Sequence, residues 1–411
     1  MLTSNFPRWE GDSTTPFVLH LAEDLAALGW EVDVLAPHAA GASRAERFGT
    51  VQVYRFQYWW PAGRQRLCYN GGALVNLRSQ SLARIQLLPF ILSELWATVR
   101  CLSRHRYDLI QAHWIVPQGF VAWIATRFFR TANVVTVHGG DIFGLQGKWL
   151  GRAKRIALRG ATRVTVNASV TEAAVVALAG DLPSLWRIPM GVSELEPPKP
   201  ERIAAIRSQF SGDGPIVAFV GRLVPEKGPA DAIEAIAILV DRAIDGHLMM
   251  IGEGPLRAEL EGFARNRGIA DRIHFLGWLG SSDVADHLAS ADMFVGPSRR
   301  APDGWVEAQG LTFAEAMMAS IPVIATRSGG ISDTVQHEQT GLLVDENAPA
   351  QIADAVERLH RDQGLAEKLA SNGRKFAREF RSRPASARQF DELFTGLSEQ
   401  ARPIEFARAG K

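Results

Sequence analysis

Two stretches in the second half of the chain hold residues whose types and spacing suit chemistry on an anion. In the first, Phe219-Val220 leads into Gly221, Arg222 and, five residues further on, Lys227-Gly228. Gly221 permits a tight turn. Arg222 and Lys227 set two cations where an apolar run ends, and a helical pattern begins near Pro229. A helix N-terminus there adds positive potential. Such a cluster can clamp a diphosphate and stabilise the charge on a departing one without a metal. Alone, an arginine and a lysine in a loop are more often a solvated surface pair. The second stretch holds Glu307 and Glu315, eight residues apart. Ala314 to Ala319 is helical in pattern, and Glu307 falls in the loop before it. The helix N-terminus near Thr312 points backbone N–H groups where they can meet phosphate, Glu307 can grip sugar hydroxyls, and Glu315, one turn in, can hold a ribose diol. The plainer alternative is a pair of acidic residues favouring a helix dipole by about 0.3–1 kcal/mol.

Other glycines stand after apolar runs: Gly252-Glu253-Gly254-Pro255 and Gly329-Gly330. Each alone is an ordinary turn, but several in one half of the chain are harder to dismiss. There is no G-x-G-x-x-G, no P-loop and no Asp-x-Asp, which disfavours dinucleotide and P-loop readings.

The elements that position these residues alternate short apolar runs with longer amphipathic segments. Val32–Ala36, Leu109–Ala112, Val134–Val137 and Arg163–Val166 read as strands, and Pro16–Leu28 as a helix closed by Gly29. Glu194 to Pro200 holds three prolines and breaks regular structure. Strand patterns resume at Ile216–Val220, His247–Ile251, Ile273–Leu276, Met293–Val295, Pro322–Ala325 and Gly341–Val344. Helices fill 350–380, and Pro384–Ser398 is a further candidate. This alternation implies parallel sheets of βαβ units. The reading is α/β: two doubly wound domains over 1–196 and 197–382, facing across a cleft. The segment 383–411 is expected to pack back toward the first. Ligands of such sheets bind beyond the carboxyl ends of the strands.

Bulk properties narrow the function. The 411 residues are 46% hydrophobic and 22% charged, with net charge +1, so no field suited to nucleic acid is present. The charge is uneven: residues 1–195 hold 20 Lys/Arg against 13 Asp/Glu, and the remainder 25 against 31. A basic first half points to an anionic surface or substrate on that side. Cys68 and Cys101 form neither a metal-ligand pattern nor a disulfide framework, so a reducing cytoplasm is expected. Met1 leads directly into polar Ser4-Asn5-Phe6-Pro7-Arg8, unlike a signal peptide. Leu82 to Val99 is interrupted by Arg84, Gln86, Pro89 and Glu94, too often for a spanning helix.

In combination these motifs resemble the retaining glycosyltransferase family four (group 1), of GT-B fold and bacterial exopolysaccharide or lipopolysaccharide type. The likeness covers nearly the whole chain. It also draws in Ser328-Gly329-Gly330-Ile331, Thr340 to Val344 and Ile188 to Val192. The resemblance implies that Arg222 and Lys227 bind the donor diphosphate and that Glu307 contacts the transferred sugar. The Gln309–Thr312 backbone would meet sugar and phosphate, Glu315 the ribose, and the backbone near Gly277 and Trp278 the base. Gly221, Gly252 and Gly254 complete the donor loops. In the first half, Val137-His138-Gly139-Gly140-Asp141 follows a strand. His138 matches the family histidine near the C6 end of the sugar, although a lone strand-end histidine is more often structural. Trp114, Asp141 and Gly11 are acceptor-side candidates, with His113-Trp114 the weaker pair. The implied mechanism is front-face substitution with retention, in which a donor phosphate oxygen takes the acceptor proton and neither metal nor cofactor is required. No carboxylate nucleophile is needed, unlike in retaining glycosidases. Two features depart from the family. Only Met1-Leu2 precede Thr3-Ser4, so either the start lies upstream or the first strand is short and weakens the sheet. The loop from Trp9 to Pro16 has Gly11 but no Gly-Gly pair.

Residues 54–106 carry Tyr54, Phe56, Tyr58, Trp59, Trp60 and Trp96 among Arg55, Arg64, Arg66, Arg78, Arg84, Arg100, Arg104 and Arg106, with Glu94 the one acid. That composition suits an anionic membrane surface. A core helix with solvated arginines is the plainer alternative. Tyr69-Asn70-Gly71-Gly72 is a candidate acceptor loop. The expected partners are a nucleotide-diphosphate sugar, a glycan or lipid-linked acceptor and an anionic membrane surface. The expected location is cytoplasmic, peripheral on the inner face of the cell membrane. The alternatives are a GT-B epimerase or phosphorylase, or an inactive sugar-binding module.

Overall fold

The computed structural model describes the chain except residues 13, 15, 70–71, 145, 183, 195–198 and 402–411. It divides into two compact units. One comprises Met1–Asn167, Thr171–Ile188 and Ser386–Lys411; the other comprises Ala168–Val170 and Pro189–Ala385. The chain thus passes between units at Ile188/Pro189, ahead of the proline-rich break anticipated near 197, whose residues 195–198 lie outside the described set.

Thirteen strands are described: β1 Asp33–Pro37, β2 Ala45–Phe48, β3 Val51–Phe56, β4 Leu109–His113, β5 Ala132–Val137, β6 Arg163–Val166, β7 Leu185–Arg187, β8 Ile216–Val220, β9 His247–Ile251, β10 Ile273–Gly277, β11 Met293–Gly296, β12 Val323–Thr326 and β13 Leu342–Val344. The second unit is a six-stranded sheet in the order β10-β9-β8-β11-β12-β13, with every pairing parallel. That is the doubly wound order, whose direction reverses between β8 and β11. The sequence of β8 shows why the sheet is covered on both faces. Val217 and Phe219 enter one core cluster, and Ile216 and Ala218 enter the other. Alternate residues therefore feed two helical layers, the usual reason a parallel strand reads as a continuous apolar run.

The first unit has β4-β5-β6-β7 in parallel and β1-β3-β2, in which β2 is an antiparallel edge. Met1 and Leu2 tie the two groups together. Leu2 bridges both Leu35 and Ala112, the Leu35 N–H donates to Met1 O at 2.8 Å, and the His113 N–H donates to Leu2 O at 2.9 Å. Leu2 is therefore paired on both sides, to Leu35 and Ala112, as an isolated bridge between β1 and β4. The strands β2, β3 and β7 were absent from the sequence reading. The helix Arg383–Ala401 belongs with this unit from Ser386 onward. Trp30 Nε1 donates to Asp391 at 2.8 Å and its ring meets Phe394 edge-on at 5.8 Å.

Candidate active site

The donor-type residues of the second unit lie where the sheet order reverses. After β8 the chain turns through Gly221 and Arg222, forms one tight turn over Pro225–Lys227, and passes left-handed Gly228 (φ 63°) into the helix Pro229–Asp241. A side chain on Gly228 would collide with the Pro297 carbonyl just past β11. This approach brings the loop after β8 against the loop after β11. The glycines after β9 do the same on the other side. A Cβ on Gly252 would strike the Gly221 carbonyl, and one on Gly254 the Leu223 carbonyl. The backbone then pairs across the gap: Gly221 N to Ile251 O at 2.9 Å, Leu223 N to Glu253 O at 3.0 Å and Gly252 N to Gly277 O at 2.8 Å. The predicted residues Gly221, Gly252, Gly254 and Gly277 thus form one frame of main chain.

Within it, Lys227 and Glu307, 80 residues apart in sequence, form an ion pair. Glu307 is mostly buried, whereas Arg222 is half-exposed, with its guanidinium 4.0 Å from Glu226. The Lys227 ammonium also lies 5.9 Å from the Trp305 ring centroid. Glu307 is held by its backbone: its carbonyl accepts from Gly330 N at 2.9 Å. Side chains on Gly329 or Gly330 would collide with the carbonyls of Glu307 or Ala308. Gly310 is left-handed (φ 66°) and opens the helix Leu311–Met318, so Leu311 and Thr312 form its first turn. The side chain of Gln309 is committed elsewhere. It accepts from Met190 N at 2.9 Å and donates to Met190 O at 2.6 Å. Glu315 keeps some exposure, yet the protein packed around it pushes its carboxyl pKa up.

In the first unit, β4 and β5 end on two histidines. His113 is fully buried, and its Nδ1 is 3.0 Å from His138 Nε2. His138 lies 5.1 Å from both the Trp114 and Phe17 rings. Asp141 acts below it. One carboxylate oxygen accepts from His138 N at 3.2 Å and the other from Ile115 N at 2.9 Å. Asp141 therefore fastens the loops after β4 and β5 together, and burial raises its pKa. Gly11 is an exposed turn glycine (φ 81°) in a loop closed by the Arg8–Asp12 ion pair at 2.8 Å. Of the candidate acceptor loop 69–72, residues 70 and 71 lie outside the described set.

The arginine–aromatic segment, expected to face a membrane surface, is partly interior. Phe56 and Tyr58 are core residues, and Arg55 is buried against Glu46 at 2.6 Å. Arg55 continues the inward alternation of Val51 and Val53, and Phe56 and Tyr58 are buried from the opposite face, so none of the three is part of a surface. The helix Ser81–Arg104, in contrast, buries Phe90, Glu94 and Ala97 and exposes Ile85, Leu88, Leu92 and Trp96. Among the described residues it is the one helix long and apolar enough to cross a membrane by length and composition. No cluster of three or more His, Cys, Asp or Glu that could hold a metal occurs among the described residues.

Residues 14–191 match the glycosyl transferase 4-like domain, and residues 202–376 the glycosyl transferases group 1. A GDP-mannose-dependent alpha-(1-6)-phosphatidylinositol monomannoside mannosyltransferase of Mycolicibacterium smegmatis is 30% identical over 73% of this chain and 79% of its own length. The chain is a family-four, group 1 glycosyltransferase. Its counterpart of the same name in Mycobacterium tuberculosis is 35% identical over 52% of this glycosyltransferase, which spans 56% of that relative's length. Sucrose-phosphate synthase from Thermosynechococcus elongatus superposes with TM-score 0.74 at 25% identity, covering 93% of both chains. Both units are thereby identified as the Rossmann-like domains of the GT-B fold. Sequence reasoning missed Pro297, Trp305 and Phe17. The strand-end rule would have found Pro297 had the reversal between β8 and β11 been readable.

Proposed function

We propose that this chain transfers a sugar from a nucleoside-diphosphate donor to a hydroxyl of a glycan or lipid-linked acceptor, with retention at the anomeric carbon. The observation that carries this is the Lys227–Glu307 pair, gathered with Arg222 and a helix start at the reversal point of the second unit. In this reading Lys227 and Arg222 meet the diphosphate, and Glu307 orients the sugar hydroxyls. The bond from the anomeric carbon to the phosphate oxygen breaks, and its electron pair stays on the phosphate. The acceptor oxygen bonds to the anomeric carbon on the same face, and its proton passes to a phosphate oxygen. Charge stabilisation and positioning supply most of the rate. The names of the mycobacterial relatives support a GDP-sugar and a lipid acceptor as the first choices to try.

The site acts at an anionic membrane surface on the cytoplasmic side. Ile85, Leu88, Leu92 and Trp96 recur every three or four residues on one exposed helix face, with Arg84, Arg100 and Arg104 exposed on the same helix. Glu94, the one acid of the segment, is buried, and burial pushes its pKa up to about 8. It is therefore uncharged at neutral pH, and the exposed charge is all cationic, which suits anionic lipid.

Saturation-transfer NMR against UDP-, GDP- and ADP-sugars, followed by NMR of the product anomer, tests the transfer. Retained configuration with one donor is expected. An inverted product, or hydrolysis without any transfer to lipid-linked or glycan acceptors, overturns it. Flotation tests the membrane part. The protein is expected to float with phosphatidylglycerol vesicles, and Leu88→Glu with Leu92→Glu to abolish this. A protein that ignores anionic vesicles overturns it.

A further inference from the structure

The pair His113–His138 has a geometry that assigns its protons. The rings are 15° from parallel with centroids 5.2 Å apart, while the nitrogens are 3.0 Å apart. These values describe two nearly coplanar rings joined edge to edge by one N–H···N bond. Burial holds both imidazoles neutral, His113 well below its ordinary pKa and His138 down to about 3. Each ring then carries one proton, and one of the two donates across the pair. The other nitrogen of His113, Nε2, is buried without a hydrogen-bond partner. An orphaned buried N–H is rarer than an orphaned acceptor, so Nε2 carries the lone pair and Nδ1 the proton.

Resting on the reading of His138 as a substrate contact, we propose that His113 is a positioning residue whose Nδ1–H donates to His138 Nε2, so that His138 presents an Nδ1–H to the substrate. His138 thereby meets a sugar or acceptor oxygen as a hydrogen-bond donor, and it is not the base of the reaction. Its surroundings leave that edge as the free one. Trp114 and Phe17 pack on the ring, and no described residue bonds Nδ1. Trp114 holds its place at a backbone cost: its φ of 79° and ψ of 144° are nearly reserved for glycine, and such strain clusters at functional positions. The charged groups facing the pair are the Met1 amine, which acts on His113, and Asp141, whose carboxylate is bonded to two backbone N–H groups.

Nitrogen-15 NMR of the histidine-labelled full chain between pH 5 and 8 tests this. Wild-type His138 is expected to show a protonated Nδ1, a bare Nε2 and no titration. In His113→Asn the side-chain amide N–H stands near the position of Nδ1, so the pattern should be rescued. In His113→Leu the donor is gone; His138 should sample both tautomers and kcat should fall roughly tenfold, the scale of losing an orienting neighbour, with the donor KM little changed. A proton on Nε2 of wild-type His138, or His113→Leu matching wild type in shifts and kcat, overturns the proposal. If His113→Leu fails to fold, the wild-type and Asn shifts still decide. These shifts are read without turnover, so a protein that transfers no sugar leaves the tautomer assignment standing or falling by itself.

Discussion

The two units solve the same architectural problem with opposite chemistry. Both gather their candidate residues at the carboxyl ends of parallel strands. The second unit does so with charge, through Lys227, Glu307 and Arg222 on loops held by backbone-to-backbone contact. The first does so with uncharged rings, through His113, His138, Trp114 and Phe17, with a carboxylate spent on holding loops. In the proposed reading, the fixed cations of the second unit meet a diphosphate. A neutral hydroxyl needs direction more than charge, and a buried neutral ring supplies direction without attracting a proton.

The largest expected effect comes from breaking the charged side. Lys227→Ala should lower kcat by about 100–1000-fold, the scale of removing one donor from a charge-stabilising site, with the melting temperature little changed. Steady-state kinetics on the matched donor checks it, and near-normal turnover would move the reaction away from this loop. Next comes the frame itself. Gly330→Val drives a side chain into the Ala308 carbonyl and should cost about 1–3 kcal/mol, seen as a lower melting temperature together with a raised donor KM.

A third effect separates neutral burial from charge in the first unit. Glu94 is buried, with one oxygen accepting from Gln118 at 3.0 Å and the other without a hydrogen-bond partner. Its pKa rises from the ordinary 4.5 to about 8 because burial opposes ionisation. Below pH 4.5 folded and unfolded chains both hold the proton. Above it the unfolded chain releases the proton while the folded one keeps it. Stability therefore falls as pH rises toward 8, by up to roughly 1.4 kcal/mol per unit. Glu94→Gln should remove that slope, and thermal unfolding at pH 6, 7 and 8 reads it. The smallest effect is Glu226→Gln, which should change stability by less than about 0.5 kcal/mol. A larger loss would mean that Arg222 is a structural residue.

Much of the second unit was readable from its residues. Continuous apolar runs such as Ile216–Val220 mark strands buried on both faces, and glycines after them mark loops in contact. Glu307 was visible as a carboxylate before a helix, but its pairing with Lys227 was not, since no local pattern encodes a contact across 80 residues. The first unit was harder. The edge hairpin β2–β3 has mixed burial and no strong turn signal, and β7 is three residues long. Arg55 reads as a surface cation until its partner Glu46 and the alternation of β3 place it inside. His113 looked secondary because its importance lies in the ring it touches, which the sequence places 25 residues away.

The glycine frame of the second unit has a consequence for how such enzymes diversify. Gly221, Gly252, Gly254, Gly329 and Gly330 meet neighbouring loops through carbonyl and N–H contacts, so the outline of the proposed donor site is written in main chain. Exposed side chains at its rim, Trp278 and Glu253 among them, are free to change without redrawing that outline. Mutant libraries seeking a new base or sugar preference should therefore randomise the rim and leave Gly252, Gly254, Gly329 and Gly330 fixed.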